Sequence, residues 1–150
     1  FARNVCGFPD ANSGEFDELS KHKVIDFLPD QHAGIQKGGT MRLGAYPCRI
    51  RPGSQMHRAY GQELISERHR HRYEFNNEFR GIMEEHGLLV SGTSPDGSIV
   101  ETIEIPGSDF FVGVQFHPEF KSRPNRAHPL FRGLVEAALR LSEGGKGVNP

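Results

Sequence analysis

The stretch of sequence that decides the fold is FFVGVQFHPE, residues 110–119. Its first seven residues are apolar on both alternating faces, which is typical of a strand that other elements cover on both sides. Pro118 fixes its own φ and has no backbone N–H, so we expect the strand to end there. Strands covered in this way occur in sheets packed between helices. The pattern therefore predicts an α/β layered fold, with a mostly parallel sheet flanked by helices.

Apolar runs elsewhere in the chain predict further strands. The run KVIDFL ends at Pro29, and a second run carries apolar residues at alternating positions from Met41 onward. A Ser-Pro-Asp-Gly turn separates two more runs, which predicts a hairpin. The predicted strands cover residues 23–28, 41–50, 68–75, 88–90, 99–105 and 110–116.

Two helices are predicted from apolar residues at helical spacing. The first covers residues 76–86 and stops before Gly87, and the second opens at Pro129, since helices favour proline in the first turn. The opening residues FARNVC read like the last turns of another helix, with Gly7 just past its end. We therefore expect the domain, residues 1–142, to be incomplete at its N-terminus. The compositions of residues 8–22, 29–39 and 143–150 predict two loops and a flexible Gly-rich tail.

Charge and composition exclude several classes of protein. The 150 residues carry a formal net charge of −1, whereas a nucleic-acid-binding domain shows a basic excess or stripe. No apolar run approaches the roughly 20 residues of a membrane span, and no secretory signal is visible. The two cysteines, Cys6 and Cys48, are too few for a disulfide scaffold and fit a reducing setting. We expect a cytoplasmic protein without nucleic-acid or membrane partners.

His117 and Glu119 stand at the end of the predicted strand 110–116, where ligand sites gather in open α/β sheets. Residues two apart in an extended chain share a face, so the Glu119 carboxylate can approach one imidazole nitrogen of His117. The other nitrogen is then free to take a proton from a nucleophile. The pair has the composition of the base and orienting acid of a catalytic triad. The alternative is a surface histidine that lies near a glutamate and has no chemical role.

Longer motifs resemble one family of enzymes. VQFHPEF (residues 114–120), followed by HPLF (residues 128–131), is similar to the signature of the class I glutamine amidotransferases. GGTMRLG (residues 38–44) and ERHRHRYE (residues 67–74) narrow the resemblance to the CTP synthase family. FARNV and ANSGEF near the start resemble that family too, and the motifs follow in matching order as far as about residue 142.

The resemblance implies a flavodoxin-like domain in which a cysteine attacks the side-chain amide of L-glutamine and ammonia leaves. His117 matches the base of the Cys-His-Glu triad, and Glu119 matches its orienting acid. Glu15 matches the acidic residue that holds the α-ammonium group of glutamine. Arg72 matches the arginine of the same site, whose guanidinium can pair the α-carboxylate in fork geometry. The resemblance implies no metal ligand in this chain.

In the family, the ammonia passes to a separate synthase domain of the same polypeptide. That domain phosphorylates UTP with ATP and Mg²⁺ and aminates it to CTP. The resemblance thus implies ATP and Mg²⁺ for the full-length enzyme and no cofactor in this chain. It also implies a homo-oligomer for the full-length enzyme.

The sequence departs from the family at the nucleophile. The family cysteine lies in a Gly-x-Cys-x-Gly elbow between a strand and a helix, a motif that this sequence lacks. Cys6 falls in the expected helix end, and Cys48 falls inside a predicted strand, so neither has the surroundings of a reactive thiol. We expect the nucleophile and the oxyanion-hole glycines to lie upstream, and the 150 residues alone to be inactive.

Several alternatives stay open from the sequence. The chain could belong to another class I amidotransferase or a γ-glutamyl hydrolase, or it could be a non-catalytic binding module that lost its nucleophile. Residues 68–72, RHRHR, could form a metal site or a basic patch, although structural strand residues are the better interpretation for most of this run. Gly38 and Gly39 lack the Gly-Lys-Ser/Thr ending of a phosphate loop, so they favour a simple turn.

Overall fold

The computed structural model describes residues 1–27 and 41–144. Leu28, the predicted loop 29–39 and residues 145–150 of the predicted tail lie outside these residues. The described strands are β1 (Asn12–Ser13), β2 (Lys23–Asp26), β3 (Arg42–Ile50), β4 (Leu64–His71), β5 (Glu74–Phe75), β6 (Leu89–Thr93), β7 (Val100–Glu104) and β8 (Val112–Val114). The α-helices are α1 (Gln55–Tyr60), α2 (Arg80–Glu85) and α3 (Pro129–Gly144), and short 3₁₀ turns cover Asn77–Phe79 and Pro118–Phe120.

The strands form two sheets, one antiparallel and one mixed. The larger sheet has the order β4-β3-β6-β7-β8, and its neighbouring strands are antiparallel. The smaller sheet has the order β1-β2-β5, in which β1 and β2 are parallel and β2 and β5 are antiparallel. The combination of strands and helices is as predicted, but in the described residues parallel pairing is limited to β1 and β2. The physical reason is connection length, because a short turn such as the one between β6 and β7 can join only antiparallel neighbours.

The strand predicted at residues 110–116 is shorter and less covered than its sequence suggests. β8 contains only Val112–Val114, lies at an edge of the larger sheet among the described residues, and is half-buried. Alternate residues from Phe110 to Phe116 pack into a hydrophobic cluster, whereas Phe111 on the other face is 48 % exposed. An apolar residue on the second face does not by itself supply a packing partner, so the prediction of cover on both sides is wrong for this part of the chain.

The cluster below β8 joins the larger sheet to two helices. Cys48 and Ile50 of β3 lie two residues apart and therefore point to the same face. They pack with Ile65 of β4, Met56 of α1 and Leu130 of α3. Full burial of one such aliphatic side chain contributes roughly 1.5–3 kcal/mol relative to exposure. These contacts fix the sheet whose edge carries His117.

Helix α1 was not among the predicted elements, and a distant acid holds its first turn. The Glu104 carboxylate accepts hydrogen bonds from the backbone N–H groups of Gln55 and Met56, both at 2.8 Å. Ser54 caps the same turn, since its hydroxyl accepts from the N–H of His57 at 2.9 Å. A helix of six residues is marginal alone, and the acid that stabilises it lies 48 residues further along the chain.

Helix α3 buries a different stripe from the one that its apolar residues suggest. Leu130 and Ala137 are buried. A side chain at Gly133 would come within 2.7 Å of the Phe110 ring, so the helix packs closely there. The remaining large apolar side chains of α3 are 39–58 % exposed, and they are Phe131, Leu134, Val135, Leu139 and Leu141. Among residues 1–27 and 41–144, no helix is long and apolar enough to cross a membrane.

The first residues form the helical turn expected from the sequence. The N–H of Val5 donates to the carbonyl of Phe1 at 2.8 Å. Gly7 follows with φ of 78°, the left-handed conformation that glycine adopts past a helix end. This local prediction is confirmed.

We predict opposite effects for two glycine-to-alanine substitutions. A Cβ at Gly92 would lie 2.6 Å from the Thr102 hydroxyl and 2.8 Å from the Cys48 sulfur, so Gly92→Ala should lower the free energy of unfolding. Overpacking of this kind costs about 1–3 kcal/mol. Gly81 in α2 has no neighbour within 4 Å, and Gly81→Ala should stabilise the helix by up to about 1 kcal/mol. Urea unfolding of both variants measures the difference, and equal midpoints would contradict the packing described for β6.

Candidate active site

The imidazole of His117 and the carboxylate of Glu119 form a direct contact. Nδ1 of His117 lies 2.8 Å from Oε1 of Glu119. The backbone N–H of His117 donates to the carbonyl of Arg68 at 2.8 Å, which ties this residue to β4. The predicted contact is confirmed, but the backbone route differs. Pro118 begins a 3₁₀ turn, which returns Glu119 toward the ring instead of leaving the chain extended.

Hydrogen bonding sets the electrostatics of this pair. The backbone N–H of Glu119 itself, followed by the His117 ring, holds the pKa of the Glu119 carboxyl below its usual value. An ionised carboxylate only accepts hydrogen bonds, so Nδ1 of His117 donates and Nε2 is the ring nitrogen that can exchange a proton. The Phe120 ring stacks on the imidazole with centroids 5.1 Å apart. The His117 ring is therefore oriented from two sides.

Glu15 and Arg72 line one cavity of about 620 Å³. Glu15 follows β1, and Arg72 follows β4, so the cavity brings together residues far apart in the chain. The His117 ring is not part of the lining, but Gln115, two residues before it, is. The full lining consists of Ser13, Glu15, Phe16, Ile25, Met41, Arg70, His71, Arg72, Tyr73 and Gln115.

The cavity offers charges of both signs to a small molecule. The lining residues include one acid, Glu15, and two arginines, Arg70 and Arg72. Burial, then the negative charge of Glu15, raises the pKa of Tyr73, which keeps its hydroxyl neutral. A carboxylate and a guanidinium on one cavity are complementary to the ammonium and carboxylate groups of an amino acid.

A network of buried charges lies beside the cavity, and sequence reasoning missed it. Arg42 donates to Glu101 at 2.6 Å and to Glu74 at 3.2 Å. The other Glu101 oxygen accepts from His69 at 2.8 Å. Nδ1 of His69 lies 3.0 Å from the carbonyl oxygen of Glu67, so both of its ring nitrogens have a hydrogen-bond partner. Burial alone would raise the pKa of Glu101, but the hydrogen bonds from His69 and Arg42 lower it.

One sequence feature could have predicted this network, namely charged residues at strand positions that face the core. Along β4, buried and exposed residues alternate, which places His69 inward and Arg68 and Arg70 outward. The interpretation of RHRHR as mainly structural strand residues therefore agrees with the structure. Among residues 1–27 and 41–144, no three His, Cys, Asp or Glu side chains form a group that could hold a metal ion.

The histidine of the HPLF motif belongs to a second buried cluster. Nε2 of His128 lies 3.4 Å from Glu67 and 3.0 Å from the Tyr60 hydroxyl. Burial would raise the pKa of Glu67, but hydrogen bonds from His128 and Lys121 lower it. This cluster fixes the start of α3 against β4.

Neither cysteine has the surroundings of a nucleophile. Cys48 is completely buried, and this burial, with the nearby Glu101 and Glu67 carboxylates, raises the pKa of its thiol to about 12. Cys6 is half-buried in the turn that opens the chain. A thiol reacts as its thiolate, whereas the surroundings of Cys48 favour the neutral thiol.

Comparison with known proteins identifies the class. Residues 11–137 match the family described as "Glutamine amidotransferase class-I". The chain therefore belongs to the class I glutamine amidotransferase family, and its fold class is the one predicted.

Within that class, the chain is similar to CTP synthases. It is 62 % identical over 143 residues to the CTP synthase of Rubrobacter xylanophilus. This alignment covers 95 % of this chain and 26 % of the relative. It is 58 % identical over 147 residues to that of Moorella thermoacetica, covering 98 % and 27 %. The chain thus spans about a quarter of the length of these relatives. The resemblance to CTP synthases that the motifs indicated is confirmed.

Solved structures agree. The Trypanosoma brucei CTPS glutaminase domain with bound acivicin superposes with a TM-score of 0.85 at 38 % identity, covering 93 % of this chain and 54 % of that one. A putative GMP synthase protein from Thermoplasma acidophilum matches with a TM-score of 0.51 at 15 % identity, covering 71 % of this chain and 48 % of that one, which shows a shared fold alone.

We predict that Cys48 does not react with thiol reagents in the folded protein. With a pKa of about 12, only about one thiol in ten thousand is ionised at pH 8. In a Cys6→Ser variant, Ellman's reagent should therefore label nothing at pH 8 until urea unfolds the chain, after which one thiol should react. The matched Cys48→Ser variant reports Cys6 alone. Fast labelling of Cys48 in the folded Cys6→Ser variant would contradict the buried position.

Proposed function

We propose that this chain supplies the histidine and glutamate of a Cys-His-Glu triad that releases ammonia from L-glutamine, for the ATP-dependent amination of UTP to CTP. The observation that carries the proposal is the 2.8 Å contact between His117 and Glu119. The contact lies near a cavity that Glu15 and Arg72 line, in a chain closely similar to CTP synthases. The thiol comes from another segment of the polypeptide, because Cys6 and Cys48 are unsuited to the role.

His117 moves the proton in this reaction. Nε2 accepts the proton of the cysteine thiol, and the thiolate attacks the side-chain amide carbon of glutamine. The carbon–nitrogen bond breaks, the nitrogen leaves as ammonia with the proton held by His117, and a glutamyl thioester remains. His117 then takes a proton from water, whose oxygen attacks the thioester. The carbon–sulfur bond breaks, glutamate leaves, and the thiolate takes the proton back from His117. Glu119 keeps the ring in the required tautomer throughout.

Glu15 and Arg72 hold the amino-acid end of glutamine. The Glu15 carboxylate binds the α-ammonium group, and the Arg72 guanidinium pairs with the α-carboxylate. Support comes from their shared cavity, whose volume of about 620 Å³ suits a small ligand. Gln115 lines the same cavity and lies two residues before His117, which supports a pose in which the amide end of glutamine faces the base.

The ammonia passes to a synthase domain of the same polypeptide. ATP, Mg²⁺ and UTP act in that domain, and no residue of this chain is assigned to them. We propose a cytoplasmic, homo-oligomeric full-length enzyme. The relatives support the arrangement, since the chain spans about a quarter of each CTP synthase.

We predict that the isolated 150 residues release no ammonia from glutamine, because no suitable nucleophile is present. In the full-length polypeptide, meaning this chain joined to the other segments of a CTP synthase, His117→Asn should lower glutamine-dependent CTP formation by about 10²–10⁴-fold. Ammonia-dependent CTP formation should be unchanged, because it bypasses the triad. The assay is CTP absorbance with glutamine or ammonium chloride as the nitrogen source.

The matched control for this prediction is His86→Asn, at an exposed histidine whose ring contacts only the carbonyl of Ile82 in the hydrogen bonds described. It should retain both activities. Ammonia release by the isolated chain that depends on Cys6 or Cys48 would refute the proposal. A full-length polypeptide that shows no glutamine-dependent reaction, even with a complete elbow, would instead indicate a non-catalytic binding module.

We predict that Glu15→Gln and Arg72→Lys raise the KM for glutamine more than they lower kcat. Each removes one charge-assisted or bidentate contact, and such a contact corresponds to roughly a 10- to 150-fold change in affinity. Arg68→Lys is the control, since Arg68 lies on the exposed face of β4 and outside the cavity lining. An unchanged KM in both test variants would exclude this binding mode.

A further inference from the structure

Glu74 is a buried carboxylate that forms hydrogen bonds with His71 and Gln115, two residues of the cavity lining. It is 1 % exposed. Oε1 accepts from Nε2 of His71 at 2.9 Å, and Oε2 accepts from the side-chain amide of Gln115 at 2.8 Å. Nη1 of Arg42 lies 3.2 Å from Oε1 and 3.4 Å from Oε2. Both oxygens of this side chain therefore have hydrogen-bond partners from other segments of the chain.

The partners of Glu74 stand next to the residues of the proposed reaction. His71 is the last residue of β4 and directly precedes Arg72. Gln115 directly follows β8 and lies two residues before His117. His71, Gln115 and Arg72 all line the cavity, whereas Glu74 itself does not. One carboxylate thus joins the segment that carries the binding arginine to the segment that carries the base.

A rigid anchor holds this carboxylate in place. Arg42 is itself buried and pairs through its second nitrogen with Glu101 at 2.6 Å. Burial acts to lower the pKa of Arg42, but the ion pairs with Glu101 and Glu74 raise it above its ordinary value. Glu74 therefore cannot shift toward His71 or Gln115 without breaking contact with a fixed cation.

We propose that Glu74 is a positioning residue of the amidotransferase site, which sets the separation between Arg72 and His117. The inference rests on the function proposed above. Glutamine must reach from the binding arginine to the base with its amide carbon correctly placed, and misplacement by about 1 Å can cost on the order of 100-fold in rate. Glu74 acts through Gln115 and His71 and does not contact the substrate.

The first test is Glu74→Gln in the full-length polypeptide. The neutral amide loses the ion pair with Arg42. It can keep both other contacts only if the Gln115 amide flips or His71 changes its tautomer, so the local geometry changes. We expect kcat/KM for glutamine to fall roughly 10- to 100-fold. Ammonia-dependent CTP formation should stay within about twofold, because the synthase reaction does not use this site.

The matched control is Glu104→Gln. Glu104 is 2 % exposed and also accepts two hydrogen bonds at 2.8 Å, but it caps α1 and does not line the cavity. It should lower the melting temperature as Glu74→Gln does, and leave kcat/KM for glutamine within about twofold. Equal losses of kcat/KM in the two variants would show that Glu74 acts only through stability.

Two further variants separate the arms of Glu74 and remain informative if Glu74→Gln does not fold. Gln115→Met releases the segment of the base and should lower kcat with little change in KM. His71→Phe releases the segment of Arg72 and should raise KM with little change in kcat. The opposite pattern, in which Gln115→Met raises KM alone, would assign Gln115 a direct substrate contact and overturn the proposal.

The failures of the two proposals can be told apart. An unmodified full-length polypeptide without glutamine-dependent CTP formation removes the proposed function and this inference with it. An active unmodified polypeptide whose Glu74→Gln variant keeps kcat/KM within about twofold removes the positioning role alone.

Discussion

Arg42 lies buried between two carboxylates, and this ion-pair network joins the two sheets. Arg42 begins β3 and Glu101 lies in β7, both in the larger sheet, whereas Glu74 belongs to β5 of the smaller one. Removing one partner would leave a buried charge uncompensated, which costs about 3–5 kcal/mol. Replacing a whole buried network with apolar side chains is often neutral for stability, so we interpret this network as a device that fixes geometry.

The residues proposed for the site come from separate segments, so their relative positions depend on that geometry. Glu15 follows β1, Arg72 follows β4 and His117 follows β8, and the ends of strands and loops are the more mobile parts of a fold. Hydrogen bonds between neighbouring strands order each segment only as far as its last paired residue. Beyond those pairs, the Glu74 side chain links the segment before Arg72 to the segment before His117. The hydrogen bond from the backbone N–H of His117 to the carbonyl of Arg68 links His117 to β4.

Local patterns in the sequence predicted much of this fold. The strand 41–50 appears as β3, the hairpin at 88–105 as β6 and β7, and the helix at 129 as α3. The His117–Glu119 contact followed from spacing, although a 3₁₀ turn and not an extended chain produces it. Helix α1 and the Arg42 network were missed because they depend on partners far away in the chain. The cap of α1 lies 48 residues along the chain, and the two partners of Arg42 lie 32 and 59 residues along it.

The surroundings of Cys48 and His117 agree with the proposal that this chain supplies the base of the triad and not its nucleophile. Cys48 lies in the core between two carboxylates, where burial and negative charge oppose the thiolate. His117 lies at a sheet edge, with one ring nitrogen committed to Glu119 and the ring partly exposed. A base is useful only where a nucleophile can approach it, and a thiol is harmless in a core where it cannot ionise. Cys48 is therefore held as a neutral thiol, whereas the His117 ring is open to the thiol that we propose another segment supplies.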